Sequence, residues 1–246
     1  MKVTVDVDER KMVNKLIFDH SPGTWRELEE MVYQAFNEMG YTCTKNKEMP
    51  TIRGKIKIDV YAVKKSSPIP TVILCECKYW DKRVEQNVIH SFRSICSDVG
   101  AHYGLIISKK GFQSGAESAR GSTNIHLLDF IQFQNTFFEE WRSGIFMNLS
   151  QLFGKLLPLM PGNPNTTIKT SLLKELQAIN VFKKYSIFFG EHRFPEYFIL
   201  DGKFPFEITD PRGVPSKSEK IKISSPREYV EVAKKACVDA CEYFGI

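Results

Sequence analysis

Two acids and a lysine, distributed over two strand-like runs, are the residues of this chain best suited to chemistry. Residues 72–78 read Val-Ile-Leu-Cys-Glu-Cys-Lys, and a period of two places Val72, Leu74, Glu76 and Lys78 on one face. Ile73, Cys75 and Cys77 fall on the other. Upstream, residues 54–63 alternate in the same way and carry Asp59 between Ile58 and Val60. A charge on an apolar strand is costly unless it is paired or coordinated. Two acids so placed, one followed by a lysine on its own face, suit a hard divalent cation. Magnesium takes one or two carboxylates and completes its octahedron with water and substrate phosphates.

The elements that must hold these residues can be read from periodicity. Residues 24–39 predict a helix, with Trp25, Leu28, Met31, Val32, Ala35, Phe36 and Met39 at helical spacing and Gly40 as its terminator. Strands are expected near 41–46, 55–64 and 71–78, then a helix from Val84 to Val99. Residues 103–108 form a nearly continuous apolar run of the kind found in covered parallel strands. A short helix over 111–120 and a strand over 124–129 complete an α/β order. Past residue 143 the pattern gives a helical stretch near 145–157 and a Pro/Asn/Gly-rich linker at 158–167. Strand-like runs at 185–189, 196–200 and 205–209, a loop at 211–226 and a closing helix follow. The expected division is a first domain over 1–150 and a small α+β C-terminal module over 151–246.

With these elements in place the chain resembles a known family. Asp59 followed by Glu76-Cys77-Lys78 matches the PD-(D/E)xK nuclease pattern, with Ile58 where the nominal proline stands. Trp25 to Tyr41 is similar to the opening helix of Mrr-like restriction endonuclease domains. Gly54–Asp59 and Cys75–Lys78 resemble their two active-site strands, and Gly104–Ser108, Gly111-Phe112, Ala116, Ala119 and Ile125–Asp129 their distal half. The resemblance covers about residues 22–130. It implies a restriction-endonuclease-like core, a central mixed β-sheet flanked by helices, and an endodeoxyribonuclease dependent on Mg²⁺, with Mn²⁺ as a substitute. Many family members carry glutamine where this chain has Glu76.

The roles that follow are these. Asp59 and Glu76 would ligate the metal, with the backbone carbonyl of Cys77. Lys78 would orient or deprotonate the attacking water, or stabilise charge on the phosphate. Glu29 lies at the margin of the first helix's apolar stripe, beside Val32 and Phe36, whereas Glu27 and Glu30 point away. It corresponds to the family's helix glutamate and is a further candidate ligand. Gln86 is an auxiliary candidate on the helix after Lys78. Arg53, Lys55 and Lys57, extended by Lys64, Lys65, Lys82, Arg83 and the Lys109-Lys110 pair, are candidates for gripping DNA phosphates. Without the resemblance, Glu76 and Lys78 also fit a same-face ion pair, and Asp59 an acceptor for a neighbouring backbone amide.

Bulk properties narrow the classes. A net charge of +5 on 246 residues permits a polyanionic partner without demanding one. There is no apolar run near the ~20 residues of a membrane span. Six cysteines in a chain of this length suit reduced thiols, so a cytoplasmic protein is expected. Cys75 and Cys77, and Cys237 and Cys241, lack a second pair at zinc spacing and read as core. His90, His102, His126 and His192 show no ligand spacing, and there is no phosphate-binding glycine loop. The resemblance implies restriction or defence against foreign DNA by a homodimer, with a partner subunit of a defence system as a further option. A junction-resolving or repair nuclease, and a catalytically silent DNA-binding subunit, are the alternatives it leaves open.

Overall fold

The computed structural model describes residues 15–52, 54–65, 68–115, 124–156, 204–210 and 219–245. Helix α1 (Trp25–Glu38) begins where the Thr24 side chain accepts from the Glu27 amide at 3.2 Å. It ends in a Schellman motif: Gly40 takes φ 86°, its amide donates to Asn37 and the Tyr41 amide to Phe36. The hydrophobic contact of that motif is Phe36 against Tyr41, ring centroids 5.1 Å apart and edge-on.

Five strands follow in spatial order β1-β2-β3-β4-β5, so the sheet is laid down in chain sequence. They are β1 (Thr42–Thr51), β2 (Gly54–Lys64), β3 (Thr71–Lys78), β4 (Tyr103–Ser108) and β5 (Ile125–Asp129). β1, β2 and β3 pair antiparallel, then β3, β4 and β5 pair parallel, which makes the sheet mixed. The edge strand β1 is mostly exposed and runs five residues further than expected, whereas β4 is buried from Gly104 to Ser108. Helix α2 (Gln86–Asp98) crosses from β3 to β4.

Each face of the sheet has its own core. α1 packs over Val60, Ala62, Ile73, Cys75, Leu105, Ile107 and Leu128. On the other face Leu74, Ile106, Ile125 and Leu127 meet Ile89, Phe92 and Cys96 of α2. Gly104 is required there: a Cβ would lie 2.6 Å from both Cys96 Sγ and Ile125 Cδ1.

After β5 the chain turns directly into a 27-residue helix, α3 (Phe130–Leu156), where the sequence suggests helix only from about residue 145. Its first turn, Phe130-Ile-Gln-Phe133, is mostly aromatic and β-branched, residues of weaker helix propensity. The start is fixed by a reciprocal cap: the Gln132 amide donates to Asp129 Oδ1 at 2.8 Å and the Asp129 amide to Gln132 Oε1 at 3.0 Å. Residue 150, the expected division of the chain, lies inside this helix.

A two-stranded antiparallel ladder, β6 (Phe206–Thr209) with β7 (Lys220–Ile223), and a last helix, α4 (Pro226–Phe244), complete the described chain. β7 falls within the stretch expected as loop; its Lys-Ile-Lys-Ile alternation is the period-two signal that the prolines around it obscure. The apolar side of α4, including Val230, Ala233, Cys237 and Cys241, joins the core that α1 and α3 share. The linker at 158–167 and the strands at 185–189 and 196–200 lie outside the described residues, as does the second half of the helix expected at 111–120. Among the described residues no helix is long and apolar enough to cross a membrane.

Candidate active site

The site is built where β2 and β3 part. Their ladder ends at the Val60–Cys75 pair, while β3 stays bonded to β4 as far as Lys78 and Ser108. Asp59 and Glu76 are therefore the first residues of an open fork. β2 also changes sides at this point. Val60 and Ala62 pack with α1, whereas Ile58 and Ile56 pack with α2. On the facing strand Asn46, between the Lys45–Val60 and Lys47–Ile58 pairs, takes φ 54°, a left-handed conformation that asparagine tolerates. In place of a ladder bond, the Cys77 amide donates to Asp59 Oδ2 at 2.8 Å. One side chain thus ties the two strands together across the fork.

Glu76 and Lys78 project from the same face of β3 and form a direct ion pair, their side chains only 20% and 17% exposed. Glu29, on α1, is 9% exposed. Glu27 instead caps the Gly23 amide, and Glu30 pairs with Lys45 at the surface. Among the described residues no hydrogen bond or ion pair engages the Glu29 carboxylate.

Electrostatics link the three acids. Burial, followed by the charge of Asp59, raises the pKa of Glu29. Burial raises the pKa of Asp59 from its ordinary value, opposed by the Cys77 amide and the Lys78 charge. Burial and then Asp59 raise Glu76, opposed by Lys78. Like charges in a half-buried setting hold one another towards the neutral form. A cation placed among them would reverse that preference. The bonds of the plainer reading, Glu76 to Lys78 and the Cys77 amide to Asp59, are both present and leave carboxylate lone pairs free.

A cavity of about 400 Å³ opens beside Glu76 and Lys78 on the α2 side of the sheet, lined also by Lys57, Trp80, Asn87 and Ser91. Sequence reasoning misses Asn87 and Ser91, four apart on α2; their spacing on the polar margin of that helix is the available signal. Gln86 is exposed and lies away from this cavity, its amide oxygen 3.3 Å from where a Gly115 Cβ would sit. Of the basic candidates, Lys55 and Lys57 are exposed on β2, and Lys82 and Arg83 are exposed after β3. Arg53 lies outside the described residues. Lys64 is instead held at 2.6 Å by Glu140 of α3. Among the described residues, no three His, Cys, Asp or Glu side chains are gathered to hold a metal ion. The donor set is nevertheless that of a hard cation: oxygen-bearing, anionic and mutually repelled, in the one-or-two-carboxylate arrangement magnesium accepts. The thiols do not compete, because burial pushes Cys75 and Cys77 far above neutrality.

The fold is a mixed five-stranded sheet flanked by helices, with an acid on one strand and acid-x-lysine on the next. Residues 22–137 match the Mrr_cat family model, described as restriction endonuclease. No curated protein matches the chain. Among solved structures, a protein of unknown function is 15% identical, covering 88% of this chain and 96% of its own, with TM-score 0.39. A repair endonuclease from Pyrococcus abyssi is 12% identical, over 46% of this chain and 48% of its own, with TM-score 0.32. The MspJI restriction endonuclease, in complex with a 27-mer oligonucleotide, is 16% identical over 45% and 27%, with TM-score 0.30.

Proposed function

We propose that this nuclease domain is a magnesium-dependent endodeoxyribonuclease that hydrolyses phosphodiester bonds in restriction or defence against foreign DNA. The observation that carries the reading is the fork at Asp59 and Glu76, which leaves two coupled carboxylates side by side where the strands part, with Glu76 and Lys78 lining a cavity. Asp59 and Glu76, with the main-chain carbonyl of Cys77, would hold Mg²⁺, and Glu29 stands behind them. When bound, such an ion supplies Lewis acidity at the phosphate and lowers the pKa of coordinated water. Lys78 presents its ammonium beside the same carboxylates, to orient the attacking water or to offset charge that builds on the phosphate. Lys57 lines the cavity and Lys55 precedes it along β2, a short basic track for the sugar-phosphate backbone. Cutting both strands is simplest for a homodimer, each copy bringing one site.

The test is incubation of plasmid DNA with the full chain, with and without Mg²⁺ or Mn²⁺, alongside Asp59→Ala and Lys78→Ala. Cleavage is expected only with the ion and in neither variant. Ion-independent cutting, or cutting by folded Asp59→Ala protein, would overturn the assignment.

A further inference from the structure

The segment leaving β3 places the rings of Tyr79 and Trp80 beside Lys78, Lys82 and, from the end of β4, Lys109. Lys78 Nζ stands 4.9 Å from the Trp80 ring centroid, Lys82 Nζ 5.7 Å from the same ring, and Lys109 Nζ 4.1 Å from that of Tyr79. The three lysines are not equivalent. Lys82 and Lys109 are paired with Glu85 and Asp81, each at 2.7 Å, acids with no part in the fork. Lys78 is the least exposed of the three, and its ionic partner is Glu76, the carboxylate assigned to the cation. A partner drawn towards a divalent ion cannot by itself fix an ammonium carried on four rotatable bonds.

Trp80 can. Its indole packs against the cluster of Ile58, Leu74 and Phe92, which restricts the ring, and it lines the same cavity as Glu76 and Lys78. An ammonium over an indole face is attracted by the ring quadrupole, most strongly where water is scarce. The interaction is indifferent to whether Glu76 is engaged elsewhere. We propose that Trp80 is a positioning residue of this active site: its ring face holds the Lys78 ammonium at the cavity when Glu76 turns to the metal. The inference rests on the nuclease reading for its consequence, but the contact itself does not.

The experiment compares full-length wild type with Trp80→Phe, which keeps a ring face, and Trp80→Leu, which keeps only bulk. The first readout needs no activity. In proton–carbon NMR, with the resonance assigned through Lys78→Arg, the Lys78 ε-methylene should be shifted upfield by the ring. That shift should survive in Trp80→Phe and vanish in Trp80→Leu. The second readout is cleavage of a linear duplex with Mg²⁺. Trp80→Leu should lose ~10²-fold in kcat, as expected for a misplaced catalytic group, with KM nearly unchanged. Trp80→Phe should recover most of the loss, with thermal unfolding close to wild type in both. Absence of the upfield shift would overturn the proposal. So would a Trp80→Leu effect confined to KM, or a Trp80→Phe variant as impaired as Trp80→Leu. If wild type cuts no DNA, or Asp59→Ala cuts as well as wild type, the nuclease reading fails, and the NMR comparison still decides the lysine–indole contact.

Discussion

Asp59 carries two duties that pull in opposite directions. Its carboxylate accepts the Cys77 amide and so joins β2 to β3, yet its burial and its proximity to Glu76 and Glu29 make its charge costly. Folded-state pKa values raised above the unfolded ones mean that the folded state favours the protonated acids. That preference is fully present below the unfolded values, and it weakens as pH climbs through the folded ones. Metal-free protein is therefore expected to gain stability from Asp59→Asn at pH 7–8, since asparagine keeps the acceptor oxygen and removes the charge. For a chain of this size Tm should rise by about 2–4 °C for each kcal/mol of repulsion relieved. The gain should shrink as pH falls towards about 4, where the wild-type acids protonate. Calorimetry across that range checks it, and a variant less stable than wild type at pH 8 would mean the charges are not in conflict. Adding Mg²⁺ should raise the wild-type Tm more than that of Asp59→Asn. For Lys78→Met the expected loss of cleavage is ~10²–10⁴-fold if the lysine acts in proton transfer, measured under single turnover.

At the scale of elements, two close crossings set tolerances that hydrophobic pattern does not reveal. α3 passes the end of α1 at Gly144, where an added Cβ would press on the Glu38 carbonyl and lie 2.7 Å from Met39 Cα. Both obstacles are backbone and cannot rotate aside. Gly144→Ala should therefore destabilise by about 1–3 kcal/mol, although alanine is the better helix former. Gly154 on the same helix is the control, because an added Cβ there would meet nothing within 4 Å. Gly154→Ala should be neutral or stabilising. The urea midpoint should fall for Gly144→Ala and stay level or rise for Gly154→Ala. A smaller loss of about 1 kcal/mol is expected for Thr24→Ala, which removes the side-chain acceptor at the start of α1.

At the scale of the molecule, the first and last described helices are joined by a buried charge cluster. Arg227 of α4 is 6% exposed and meets Glu38 of α1 through two bonds of 2.6 and 2.8 Å. Its Nε donates to the Ile17 carbonyl, its guanidinium lies over Phe18 and Trp141, and Trp141 Nε1 donates to Glu38 Oε2 at 2.6 Å. Elements separated by about 190 positions are thereby fastened at the base of the helix that carries Glu29. Arg227→Ala should cost about 3–5 kcal/mol, because it strands a buried carboxylate. Arg227→Met combined with Glu38→Gln should cost less than Arg227→Ala, and denaturant unfolding of both proteins distinguishes the outcomes. If Arg227→Ala unfolds like wild type, the cluster is ornamental to stability.

How much of this was legible in the chain follows from the range of the interactions. α1 with its Gly40 stop, the continuous apolar run of β4, and the alternation placing Glu76 and Lys78 together are set by neighbours within a few residues, and the sequence alone determines them. The burial of Glu29, with Glu27 and Glu30 outside, follows from the same helical period. The Asp129–Gln132 cap was also written locally, though strand and helix abut there without a loop to announce it. The fork at Asp59 was not legible, because it depends on where one ladder stops while the next continues. Nor was the contact between Trp80 and Lys78, the displacement of Gln86 from the cavity, or the Glu38–Arg227 cluster. Those are decided by distances between side chains that only the packed tertiary structure brings together, since no local periodicity encodes where separate elements meet.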